Sequence, residues 1–96
     1  MRYLIIDASL RGTGIRDKYE GGYLVPEELG LRTEIISRLN IWLLKYENEH
    51  YNGFTDDDII DKLDIEGKKI ALVIKNELLN VKIEYFSDAR MTDEMI

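Results

Sequence analysis

Two apolar stripes at helical spacing, parted by a few polar and glycine residues, constrain this chain more than any other feature. Ile35, Ile36, Leu39, Trp42, Leu43 and Tyr46 recur at steps of three and four, which predicts a helix from about Thr33 to Glu49. Ile59, Leu63, Gly67, Ile70, Ile74 and Leu78 repeat the pattern with Ala71 beside them, predicting a second helix from Thr55 to Leu78. So short a connection makes the two helices antiparallel neighbours. Thr55, with Asp58 three residues on, reads as a capping box opening the second helix, and Asp56 and Asp57 suit the positive end of its dipole. Gly67 in mid-helix costs about 1 kcal/mol relative to alanine. Its place on the apolar line predicts that another element passes close there, under Trp42.

The ends of the chain read as strands. Arg2 to Ile6 is a short, nearly continuous apolar run, the pattern of a strand buried on both faces. Near the other end Val81, Ile83 and Tyr85 alternate with Lys82, Glu84 and Phe86. Between the first strand and the first helix lies RGTGIRDKYEGGYLVPEELGL, with five of the seven glycines and the only proline. Gly21-Gly22 can open a turn that pairs Ile15–Tyr19 with Tyr23–Val25, or the segment is an irregular connection draped on the core; both readings stand. Pro26 to Gly30 predicts a single helical turn, with proline at its start and glycine at its stop. The tail MTDEMI carries no apolar alternation and is expected to fray.

The order strand, arm, helix, helix, strand predicts a small α+β fold, a single domain over residues 1–96. Two antiparallel helices pack on one face of a small sheet whose N- and C-terminal strands pair in its middle. Parallel pairing there calls for a right-handed crossover. Two strands alone are marginal, so the 15–25 arm or a partner is expected to add another. No apolar run approaches the roughly 18 residues of a membrane span. Asp7 interrupts the N-terminal apolar run, so it does not read as a signal peptide. With no cysteine, disulfides and thiolate metal sites are excluded, and a cytoplasmic setting is expected.

Charge is distributed unevenly. From Glu47 to Glu66 there are eight acids and one base, Lys62; this local charge of −7 sits in a chain of −6, so the other 76 residues sum to +1. Helix capping accounts for Asp56, Asp57 and Asp58. It leaves the others unexplained. Glu47 and Glu49 fall at the C-terminal end of the first helix, where negative charge is mildly unfavourable. Asp61 and Asp64, three apart, repel each other at a cost of a few tenths of a kcal/mol. An arrangement mildly costly to folding points outward, to an anionic docking face for a basic protein. Tyr51 and Phe54, beside these acids, are the expected anchors, since tyrosine and other aromatics are enriched where proteins meet. The candidate partner-binding residues are therefore Glu47, Glu49, Tyr51, Phe54, Asp57, Asp61 and Asp64. A low pI, near 4.7, argues against nucleic acid as the ligand, because its phosphates repel such a surface.

Other chemistries fare poorly. DDDIIDKLD lacks the glycine turn and alternating ligand positions of a calcium loop. His50, the only histidine, has no serine, cysteine or second histidine near it in sequence, and reads as a structural or interface residue. Ser9-Leu-Arg-Gly-Thr-Gly14 follows a strand as a phosphate loop does, but has neither a Gly-Lys-Ser/Thr ending nor a helix directly after it. No catalytic residue, cofactor or metal is expected.

The run GGYLVPEELGL, the helix carrying Leu39 and Trp42, LDIEGKKIALVIKNEL and VKIEYFSDA are together similar to short bacterial proteins. Some of these are immunity proteins of polymorphic toxin systems, including contact-dependent growth inhibition. The resemblance runs from about Gly21 to Ala89, and its motifs are mainly structural. The chain departs from the pattern at Arg32, where a serine or threonine helix cap would stand. The resemblance implies a non-enzymatic binding protein that neutralises a cognate toxin, and acidity fits a basic, nucleic-acid-targeting one. The competing reading is a stand-alone acidic regulatory or adaptor domain that binds another protein.

Overall fold

The computed structural model describes residues 1–96. It comprises β1 (Arg2–Ile6), β2 (Ile15–Asp17), a 3-10 turn (Pro26–Leu29), α1 (Thr33–Tyr51), α2 (Asp57–Leu78), β3 (Val81–Ser87) and β4 (Thr92–Met95). The sheet order is β2-β1-β3-β4. β1 and β3 pair in parallel at the centre, with Leu4 opposite Ile83 and Ile6 opposite Tyr85, and both edge pairings are antiparallel. The expected α+β architecture is the observed one, with both helices on one face of a sheet centred on the terminal strands.

Leu4, Ile6, Ile83 and Tyr85 alternate along their strands and are all at most 1% exposed, meeting Ile35, Leu39, Trp42 and Tyr46 of α1 and Ile70 and Ile74 of α2. The arm settles as a hybrid. Ile15 pairs with Ile6 in β2, and the chain then reverses through Gly21 (φ +79°), with Asp17 N–H on Gly22 O and Leu24 N–H on Ile15 O, both at 2.9 Å. Only one bridge, Arg16 to Tyr23, extends the hairpin before the 3-10 turn, which Gly30 ends with φ +77°.

The expectation of a frayed tail is overturned. A turn after Ser87 returns the chain along β3, with Phe86 opposite Asp93 and Ser87 opposite Thr92. Ile96 N–H then donates to Ile83 O at 3.0 Å, and Lys75 Nζ to Ile96 O at 2.7 Å. All four β4 residues are exposed, so the strand is held by backbone hydrogen bonds and contributes no apolar face. A strand of this kind leaves no hydrophobic period to read.

Trp42 joins the layers, its indole N–H donating to Leu63 O on α2 at 2.8 Å. Gly67 lies directly beneath it, as its place on the stripe predicted.

The helix starts differ from the expected caps. Asp56, not Thr55, caps α2, its carboxylate accepting from Ile59 N–H at 3.2 Å, while the Thr55 hydroxyl donates back to Asn52 O. Asp56→Ala should therefore cost about 1 kcal/mol in a thermal melt. Thr55→Ala should stay within about 0.5 kcal/mol. The opposite ranking would restore the Thr55–Asp58 capping box. At the start of α1, where the sequence lacks a serine or threonine, Arg32 uses its backbone N–H and Nε to bind Glu77 near the end of α2, at 2.9 and 2.7 Å. No helix is long and apolar enough to cross a membrane.

Candidate protein-binding face

The acidic segment is divided among separate environments. Asp64 points inward. It is 8% exposed and accepts hydrogen bonds from Tyr46 (2.9 Å) and Tyr85 (2.6 Å) on one oxygen and from Ser87 (2.8 Å) on the other. Burial pushes the Tyr46 hydroxyl up to about 12, and burial followed by the Asp64 hydrogen bond pushes Tyr85 further still. Asp64 is thus a core carboxylate that gathers three hydroxyls, not the exposed steering charge expected of it. The helical period put it on the side of Gly67 and Trp42, and only the partners brought by β3 make its burial tolerable.

Glu49 is also buried, at 7% exposure. It lines the groove between α1 and α2 rather than an outward face. Glu47 is half-buried and turned elsewhere, toward a shallow cavity of about 400 Å³ walled by Leu10, Arg11 and Gly12 of the β1–β2 loop. A single acidic face running from Glu47 to Asp64 is therefore corrected: one helical turn separates these residues in sequence but rotates their side chains to different sides of the helix pair.

Asp57 and Asp61 do remain outside, with side chains 86% and 63% exposed. Arg90, from the β3–β4 turn, reaches across to them, 2.6 Å from Asp61 and 3.9 Å from Asp57 and Asp64. β4 adds Asp93 and Glu94, which line a cleft of about 450 Å³ together with Asp61, Asp64, Lys68 and Arg90. Four carboxylates against two cations keep that cleft net negative. Sequence reasoning missed Asp93 and Glu94 because it left the tail unpaired; the acids of a polar run such as TDEM acquire a location only through the ladder with β3.

The two aromatic anchors part company. Tyr51 ends α1 at 75% exposure, free to meet a partner. Phe54 turns inward, its ring 4.7 Å from His50 and 6.1 Å from Tyr46. It does so at positive φ (+56°), a conformation costing a non-glycine residue about 1–2 kcal/mol, which the packing offsets. Phe54 is part of the wall around Tyr46 rather than an exposed anchor.

A second polar cluster gathers where β1 and β3 end, the side of a parallel pair on which α/β proteins build their sites. Asp7, 1% exposed, accepts from Tyr23 OH at 2.7 Å, and burial raises its pKa. Arg16 Nε lies 3.2 Å from its other oxygen, off the line of a hydrogen bond, so this is an ion pair only. Ser9 Oγ donates to Asp88 at 2.7 Å, and His50 Nε2 lies 2.9 Å from Ala8 O. Each group is engaged in fastening the loop after β1 to β3 and α1. No set of three or more histidine, aspartate or glutamate side chains is grouped to hold a metal ion. No protein-family profile matches the chain, and no curated protein matches it.

Proposed function

We propose that this chain is a small protein-binding domain of the immunity type, which neutralises a basic toxin by covering it with an acidic surface. The observation that carries the reading is the cleft between α2 and β4. Asp61, Asp93 and Glu94 converge there from parts of the sequence about thirty residues apart, with Asp57 beside them, and only Arg90 and Lys68 offset them. Carboxylates assembled from two elements do little for either element; Asp93 and Glu94 cap no helix, and Glu94 meets Lys68 only at 3.5 Å on the surface. Fields of this sign speed encounter with a basic partner and repel nucleic acid. Tyr51 supplies an exposed aromatic beside the helix turn that leads into the acidic one. The resemblance to immunity proteins supports the same reading.

The test pairs the chain with the toxin domain encoded beside its own gene. Asp57→Lys combined with Asp61→Lys should slow association about tenfold or more at low salt and much less at high salt, because exposed charges are screened over about 8 Å at physiological ionic strength. Tyr51→Ala should chiefly raise the dissociation rate. Wild-type association by the double variant at both salts would reduce these acids to a solvated face and end the proposal.

A further inference from the structure

Glu49 is the least accommodated charge in the molecule. It sits in the last turn of α1, where the helix dipole disfavours an anion. It is more than nine-tenths buried, and its carboxylate makes no hydrogen bond or ion pair. What access it keeps is to the groove between the outer flanks of α1 and α2, a cavity of about 440 Å³. The floor of this groove is Trp42 and Leu63; its walls are Ile41 and Ile59, which are 53% and 41% exposed. A slot with apolar walls and an unpaired carboxylate matches the two halves of a long basic side chain, an alkyl stem and a cationic head.

The groove's own cations leave the carboxylate free. Arg38 is bound to Glu66 at 2.8 Å, and Glu66 is held below the usual carboxylate range by that hydrogen bond first, with Lys69 and Lys45 adding to it. Lys45 lies one turn before Glu49, the order in which an i,i+4 pair is the weaker. Lys62 lines the rim from α2 without pairing with Glu49. A buried carboxylate left without a partner costs several kcal/mol in an apolar site, and a bound cation would offset that cost.

We propose that the groove between α1 and α2 seats an arginine or lysine side chain of the protein partner, its stem against Trp42, Ile41 and Ile59 and its charged head on Glu49. The identity of that partner rests on the toxin-binding reading; the chemistry of the slot does not. It would make the groove a specificity pocket, set apart from the α2–β4 cleft that governs encounter.

Trp42 is the only tryptophan, so the floor of the groove carries its own spectroscopic label. The probe is N-acetyl-arginine amide, titrated into the intact chain while Trp42 fluorescence and the NMR signals of its indole and of the Ile41 and Ile59 methyls are followed. Binding is expected with a Kd on the order of millimolar, as befits a single side chain. N-acetyl-glycine amide should give no saturable change. Glu49→Gln should weaken the arginine probe at least tenfold with a melting temperature equal to or above wild type, and Ile59→Ala should weaken it several-fold. Equal binding by wild type and Glu49→Gln would overturn the proposal, as would absence of binding. Preference for N-acetyl-glutamate amide would overturn it too, assigning the groove to Lys45 and Lys62. Because no toxin enters this assay, its failure is distinct from that of the functional reading, which stands or falls on Asp57 and Asp61.

Discussion

Asp64→Ala should destabilise the protein by about 3–5 kcal/mol, the most damaging single change to its acidic segment. Three buried or nearly buried hydroxyls, those of Tyr46, Tyr85 and Ser87, donate to this one carboxylate. Tyr46 and Ser87 are also tied to the turn that launches β4, through the N–H groups of Ala89 and Arg90 at 3.2 Å each. Removing the acceptor strands the hydroxyls in a site they cannot leave, and loosens the turn with them. For a domain of this size the loss corresponds to a fall in melting temperature of roughly 20 °C. Asp64→Asn, which keeps one carbonyl acceptor, should fall between wild type and alanine. Asp61→Ala, by contrast, removes a partly exposed pair with Arg90 and should cost less than about 1 kcal/mol. A thermal melt of the three variants is sufficient; a cost below about 1 kcal/mol for Asp64→Ala would return it to the surface role its sequence position suggested.

Gly67→Ala should destabilise by about 2–3 kcal/mol, against the usual sign for a helix. In an open helix the change gains about 1 kcal/mol from propensity. Here the added methyl would stand 2.7 Å from Trp42 Cζ2 and overlap the ring of Tyr85. Both rings are 1% exposed and fastened at their polar ends, Trp42 to Leu63 O and Tyr85 to Asp64, so neither can swing aside without breaking a buried hydrogen bond. Gly22→Ala serves as the control, with nothing within 4 Å of the added carbon and no positive φ to strain. A stabilised Gly67→Ala protein, read in the same melt, would show that the helix and sheet are not in close contact at this point.

The two predictions draw on different kinds of information. Gly67 was marked by the sequence itself: a glycine on an apolar line must be there for closeness, and the stripe of α1 placed Trp42 above it. The same logic exposed both helices, their antiparallel pairing and the two central strands, because each buries one face and burial writes a period into the residues. Asp64 carried no such mark. Its neighbours in sequence are acids, and the hydroxyls that make it a core residue arrive from β3 and α1, twenty or so positions away.

What the sequence alone determined, then, is everything that follows from local periodicity: the α+β class, the helix hairpin, the parallel centre of the sheet and the concentration of charge between Glu47 and Glu66. What only the tertiary structure decided is where each charge points and what joins it. Ladder pairing recruited Asp93 and Glu94 from a tail without apolar pattern, and Arg90 with them. The α1–α2 interface sealed Glu49 into its groove, and packing around Tyr46 drew Phe54 inward despite its strained backbone. The reason is physical: apolar burial follows the short-range period of a helix or strand, whereas the fate of a charge depends on partners that arrive from anywhere in the chain.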